Sequence, residues 1–462
     1  MAGLMVVLMA GILALLAEIF HFKKVLYPVV LAAIVVSLGM NVREWHSNFL
    51  WKYSDHMLIF DDRALAFSSV LLITVFLWFL MSKSYFSEEK NLVERSSLVL
   101  FSLIGAMMLV AFNNLVTLFL GIEILSIPLY VLVTSNKKDI LSNEAGFKYL
   151  IMGSFASGFL LFGIALLYGT AGSFELPVIQ SALSRGAVPR FAYAGIVMLL
   201  VALAFKVSLV PFHFWAPDVY EGSPIVITAL MSTMVKTSVF VAVLKLFMWY
   251  LYPVYSYYAD MLAGLILLSL IVANFSALRQ SNIKRLLAFS SISHSSIMML
   301  LIIADVRNAS TLSALLYYTF AYSVASVAAF AVIHFVAQQR EENMDILRGL
   351  MYRHPFLAIS LLIALLSMAG IPVTAGFFAK YYVLSALMIS PYKWMILAAI
   401  LASALGVVYY LRIILVMFEK DKKSEYMPVQ ISSREQWALV LSVFLLILTG
   451  IYPDLVAYWF LR

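Results

Sequence analysis

Apolar runs of about 18 residues or more recur along the whole chain. Each is enough to cross about 30 Å of hydrocarbon at about 1.5 Å per helical residue. About fourteen can be delimited, near 2–20, 25–41, 64–82, 96–112, 114–134, 145–169, 191–214, 225–251, 257–278, 285–303, 310–336, 356–388, 393–418 and 436–461. Backbone polar groups inside a bilayer must be paired within the protein, and adjoining apolar runs of this length can do so only as helices. The expected fold is therefore an all-α polytopic membrane protein with about fourteen transmembrane helices. A hydrophobic content of 64%, a charged content of 12% and a mean hydropathy of +0.98 agree with lipid as the main solvent. No stretch between the runs is long enough for a soluble domain.

The first run has no basic residue before it and Lys23 and Lys24 after it, so it reads as a retained helix rather than a secretory signal peptide. The net charge of +7 is what the positive-inside bias of a large membrane protein produces, and it calls for no nucleic acid partner. Loops after odd-numbered spans hold most of the Lys and Arg, among them Lys137, Lys138, Arg279, Lys284, Arg285, Lys420, Lys422 and Lys423. Those loops are expected in the cytoplasm, with the N-terminus and, for an even number of spans, Arg462 on the outer side. The absence of cysteine rules out disulfides, thiolate metal sites and cysteine-ligated iron–sulfur clusters in this chain. There is no GxGxxG or Walker A loop and no HExxH pair, which argues against a nucleotide-hydrolysing pump. An ion gradient or a redox partner must supply the free energy.

Two apolar stretches are interrupted alike: Leu199-Leu200-Val201-Ala202-Leu203 runs towards Pro211, and Leu361-Leu362-Ile363-Ala364-Leu365 runs towards Pro372. Proline brings no N–H, so Pro211 leaves the Val207 carbonyl and Pro372 the Met368 carbonyl without a helical partner, the latter helped by Gly370 and Gly376. Two discontinuous helices are expected. Matching interruptions in two halves point to a transport site near the midplane, with repeats near 96–251 and 257–418. Residues 1–95 and 419–462 then supply the N-terminal three helices and the C-terminal loop and helix.

Glu123, Lys206, Lys236 and Lys380 fall well inside spans, with Lys148, Lys245 and Arg412 nearer their ends. A charge at a helix centre costs about 2.5–3.5 kcal/mol on the insertion scale, so the central four together cost on the order of 10 kcal/mol. Retention at that cost points to an ion path. Glu123 lies five residues before Pro128, where the helix is loosened; its structural alternative is an ion pair fixing two helices. Lys206 lies five residues before Pro211, Lys236 sits among Ser232, Thr233, Thr237 and Ser238, and Lys380 follows the second break. A Glu–Lys contact would set whether a lysine keeps its proton. Lys148 follows Glu144 at helical pairing distance and can simply pair with it. Lys245 can snorkel, and Arg412, Glu18 and His334 read as interfacial. His294, among Ser290, Ser291, Ser293, Ser295 and Ser296, can relay protons or serve only as a packed hydrogen-bonding group, and His213 in the first break has the same two readings.

The run Pro211-Phe212-His213-Phe214-Trp215-Ala216-Pro217-Asp218-Val219-Tyr220-Glu221-Gly222-Ser223-Pro224 resembles the signature of the antiporter-like membrane subunits of respiratory complex I, in their NuoN form. Its companions are Asn282-Ile283-Lys284-Arg285-Leu286-Leu287-Ala288-Phe289-Ser290-Ser291-Ile292-Ser293-His294, and Ala369-Gly370-Ile371-Pro372 followed by Gly376-Phe377-Phe378-Ala379-Lys380. The resemblance covers about residues 60–420. It departs at Ser295-Ser296 and at Ser223, where small-plus-glycine and alanine are usual.

The resemblance implies fourteen helices with two inverted five-helix repeats, and a subunit that helps pump protons while partner subunits reduce quinone. Glu123 and Lys206 would be its coupled acid–lysine pair, Lys236 the central lysine, Lys380 the terminal lysine, and Lys148 and His294 further members of the hydrophilic axis. It implies no cofactor in this chain, with FMN, iron–sulfur clusters and quinone in partner subunits. The partners would be NuoM-, NuoK- and NuoJ-like membrane subunits and, through them, the NADH- and quinone-reacting arm, in a bacterial inner membrane. An Mrp-type cation/proton antiporter subunit and a non-pumping scaffold of a related membrane redox complex are the alternatives.

Overall fold

The structure is a computed structural model and describes residues 1–20, 23–45, 56–86, 89–185, 188–304, 309–337, 342–420 and 431–457. Lys422, Lys423 and Arg462, used above for orientation, lie outside them, as does the side chain of Glu18. In chain order the helices are α1 (Ala2–Ile19), α2 (Lys23–Glu44), α3 (Asp62–Met81), α4 (Glu89–Ala111), α5 (Leu115–Val133), α6 (Ile140–Ala171), α7 (Leu176–Ser184), α8 (Arg190–Lys206), α9 (Trp215–Gly222), α10 (Ile225–Leu230) and α11 (Lys236–Leu244). Then come α12 (Tyr255–Leu278), α13 (Ile283–Ile303), α14 (Ala309–Val336), α15 (Leu350–Arg353), α16 (Pro355–Ala369), α17 (Ala375–Leu387), α18 (Met395–Phe418), α19 (Ser433–Ile451) and α20 (Asp454–Ala457).

Among the described residues, eleven helices are long and apolar enough to cross a membrane. With α1 and the two interrupted pairs α8/α9 and α16/α17 they make the fourteen crossings expected, and the protein is a multi-pass membrane protein. The short amphipathic α7 had no counterpart in the sequence reading. Two π-helical segments were also missed: Met231–Val235 and Lys245–Tyr250, on either side of α11.

The chain forms two compact units. Unit one comprises residues 1–76, 86–215 and 234–265; unit two comprises residues 77–85, 216–233 and 266–462. In unit one, α4 packs on α5 and α6 on α8. The α6/α8 contact is close because a Cβ at Gly163 would lie 2.8 Å from the Gly195 carbonyl oxygen, the small-residue packing of membrane helices. In unit two, α14 is the hub, packed on α16, α17 and α19, while α13 is buried all round.

Each unit contains the same joint. Asn114 bridges Glu175 in unit one and Asn282 bridges Asn343 in unit two. The flanking amides bond alike: Leu115 N–H to Phe174 C=O and Leu176 N–H to Asn113 C=O, then Ile283 N–H to Glu342 C=O and Met344 N–H to Ser281 C=O. Asn114 and Asn282 also cap their helices, accepting from the N–H of Val116 and Lys284. One sequence interval separates every one of these pairs, which marks an internal repeat. Replacing Asn282 by Ala removes a cap worth about 1 kcal/mol. The unfolding midpoint of the solubilised protein should fall accordingly, and an unchanged midpoint would contradict the capping role.

Candidate functional site

Both breaks are present. After Lys206, residues 207–214 leave the helix, with Ser208 at φ 62° and a cis peptide before Pro211. After Ala369 the chain turns through Gly370 at φ 84° and Val373 at φ 76° before α17 begins. A half-helix that ends inside a bilayer exposes carbonyls carrying partial negative charge. At each break a side chain from the following half answers them: Trp215 Nε1 donates to Phe205 C=O at 2.9 Å, and Lys380 Nζ donates to Ala369 C=O at 2.8 Å.

In unit one Lys206 is 3% exposed and donates to Ser126 Oγ at 2.9 Å and Tyr130 OH at 3.3 Å. Tyr130 stands edge-on to Tyr149 at 4.7 Å, and Tyr149 stacks on Trp215 at 4.8 Å, so the ammonium lies beside an aromatic wall. Glu123 accepts from Ser157 Oγ and forms no ion pair with Lys206. In place of the direct Glu–Lys contact envisaged from sequence, each group is bonded to hydroxyls of its own: Ser157 for Glu123, and Ser126 and Tyr130 for Lys206. Glu123, Ser126 and Tyr130 share one face of α5 at helical spacing, so acid and ammonium address the same face with Ser126 a turn away. Lys148 pairs locally with Glu144 at 2.7 Å, both partly exposed, as its bland alternative supposed. His213 is buried in the break with its ring 4.5 Å from that of Phe214. Lys236 is 2% exposed at the start of α11, where the helix returns from π to α geometry, a feature frequent at functional sites.

In unit two His294 is held from both sides, Nδ1 with Tyr318 OH at 2.7 Å and Nε2 with Tyr410 OH at 3.1 Å. Tyr410 in turn bonds Ser290, and Tyr322 donates to Ser291 at 2.8 Å. The serine cluster expected around the histidine is largely committed elsewhere: Ser295 and Ser296 bond backward to Ser291 and Ile292 carbonyls. Two tyrosine hydroxyls thus bracket the imidazole. Beside it lies a cavity of about 10 Å³, lined by His294, Tyr318, Ser367, Gly376 and Ala379 among others. That is the size that admits one water, and it lies between the imidazole and the break that Lys380 closes.

A charged cluster also went unnoticed in sequence. Arg285 donates to Asp218 at 2.8 Å and Glu221 at 2.7 Å, Asn282 donates to Glu221 at 3.2 Å, and Lys284 pairs with Glu342 while donating to Ser223 C=O at 2.8 Å. The tryptophan motif and the Asn-Ile-Lys-Arg motif are therefore bonded to each other. Among the described residues no group of three or more His, Asp or Glu could hold a metal ion.

Gly370 serves Lys380 twice, by its positive φ and because a Cβ there would lie 2.8 Å from Lys380 Cδ. Gly370→Ala should destabilise the solubilised protein by about 1–3 kcal/mol. Gly264→Ala, with nothing within 4 Å, should leave its thermal midpoint unchanged or slightly raised. Equal midpoints for the two variants would contradict this account of the break.

Residues 112–406 match the family model described as NADH:quinone oxidoreductase/Mrp antiporter, TM. A protein of Flavobacterium psychrophilum named NADH-quinone oxidoreductase subunit N is 42% identical over 449 residues, 96% of this chain and 97% of that protein. A chain in the structure of respiratory complex I from Thermus thermophilus with bound aureothin superposes with a TM-score of 0.82 at 29% identity, over 98% of both chains. A chain of the Mrp complex from Dietzia sp. DQ12-45-1b has a TM-score of 0.83 at 17% identity over 99% of this chain and 95% of its own, a likeness of fold alone. The chain therefore belongs to the NADH:quinone oxidoreductase/Mrp antiporter transmembrane family, among the NADH-quinone oxidoreductase subunit N proteins.

Proposed function

We infer that the chain is the proton-translocating membrane subunit of an NADH:quinone oxidoreductase, a non-redox part of that enzyme. The observation that carries the reading is the placing of buried cations at interrupted helices: Lys206 ends one half-helix and Lys380 closes the other break, inside a family of ion-translocating membrane subunits. A lysine that holds a proton among neutral hydroxyls and carbonyls is poised to respond to a neighbouring charge. Glu123, on the same face of α5 as the ligands of Lys206, supplies that charge. Lys206, Lys236 and Lys380 carry protons, with His294 relaying in unit two; Lys148 and His213 are minor members.

The driving reaction is quinone reduction in partner subunits that hold FMN, iron–sulfur clusters and quinone, and this chain contributes no cofactor chemistry. NuoM-, NuoK- and NuoJ-like subunits are its neighbours, the bacterial inner membrane is its site, and both termini face outward. The repeats run near 96–251 and 257–418. Moving one charge against 100 mV requires about 2.3 kcal/mol. A pKa change of about two units, at about 1.36 kcal/mol each, suffices.

Lys206→Met and Lys380→Met in the assembled complex should lower proton uptake per electron transferred, read in sealed vesicles. Full translocation in both variants would overturn the reading. Proton flux that needs sodium and neither NADH nor quinone would instead identify an antiporter.

A further inference from the structure

The proton path leaves two membrane cations without a role, Lys245 and Arg412, and both sit on the repeated joint. In unit one Lys245 Nζ donates to the carbonyl of Phe112, the residue that follows α4, and lies 5.0 Å from that residue's ring. In unit two Arg412 Nη1 donates to the carbonyls of Leu278 and Gln280, at 3.2 Å each, where α12 ends. Phe112 stands two residues before the cap Asn114, and Gln280 two residues before the cap Asn282. Lys245 and Arg412 are themselves separated by the interval that relates the two joints, less one residue.

In both places a cation meets carbonyls at the C-terminal end of a helix, Lys245 part-buried and Arg412 exposed. A helix that ends within a membrane protein presents unpaired carbonyls and the negative end of its dipole, and a cation there both bonds and neutralises them. Each joint then starts the helix that bears an ionisable group of the path, Glu123 on α5 and His294 on α13. In unit one Tyr250 ties the same corner, donating to Asn113 Oδ1 at 3.1 Å. The identity of the two cations is informative. Arginine keeps its proton at every working pH, so the position occupied by Arg412 requires a charge and excludes a carrier.

We propose that Lys245 and Arg412 are equivalent positioning residues, fixed cations that clamp the joints before α5 and α13 and so set where Glu123 and His294 stand, and that neither passes a proton along the path. The second half of that statement rests on the proton-path reading above. The test uses the assembled complex in sealed membranes, reading protons taken up per electron transferred, with amide hydrogen exchange at residues 114–118 as a readout independent of pumping. Lys245→Arg and Arg412→Lys should keep the wild-type ratio, whereas Lys245→Met should lower it and speed exchange at 114–118, which Lys206→Met leaves unchanged. Loss of translocation in Lys245→Arg, in a complex that still oxidises NADH, would overturn the proposal, as would wild-type exchange and ratio in Lys245→Met. If Lys245→Met does not assemble, Lys245→Arg decides alone. Normal translocation in Lys206→Met would defeat the proton path instead, leaving the clamp to be judged by exchange.

Discussion

An unpaired backbone group in hydrocarbon costs several kcal/mol, and a helix interrupted in mid-membrane exposes several at once. The two interruptions here are stable because the second half of each broken helix returns a donor to the first: the Trp215 indole to Phe205 and the Lys380 ammonium to Ala369. That constraint explains much around it. Trp215 must lie flat against Tyr149, which holds Tyr130 where its hydroxyl meets Lys206. Gly370 must be glycine, since the chain turns left-handed there while Lys380 passes across it. A lysine that caps a carbonyl is at once a structural donor and a titratable charge. Those two duties are what a carrier needs if its protonation state is to be felt by the helix it closes.

The acid and the histidine are held more loosely to the breaks. Glu123 is bonded to Ser157 on α6 and shares its helix face with Ser126 and Tyr130, the partners of Lys206. His294 is bracketed by two tyrosines, with room for one water towards the second break. Hydroxyls are neutral and reorientable, so none of these bonds holds Glu123 or His294 in a permanent ion pair. A direct Glu123–Lys206 pair would have stabilised both charged forms and resisted exchange.

The crossings were legible in sequence because their length is fixed by the bilayer, and the breaks because Pro211 and Pro372 cannot donate to a helix. The buried lysines were equally plain, since each falls inside a long apolar run with at most one other charged residue. What sequence did not carry were partners at long range. Tyr318 lies 24 residues from His294 and Tyr410 lies 116 away, separations to which no helical spacing rule applies. The joints escaped notice because the two copies share little more than the capping asparagine: Phe112-Asn113-Asn114-Leu115 against Gln280-Ser281-Asn282-Ile283. The clustering of Arg285 with Asp218 and Glu221 had a signal, two charged motifs far apart in the chain, but sign alone does not say which charges meet.

The central claim is that quinone reduction elsewhere in the complex changes the protonation of this chain's buried groups, beginning at Glu123. Infrared difference spectroscopy on the reconstituted complex, with glutamate isotope-labelled, reads that change directly. Triggering quinone reduction should produce a carboxyl protonation signal that shifts with the label and disappears in Glu123→Gln. A labelled difference spectrum identical in the wild type and Glu123→Gln would contradict the account.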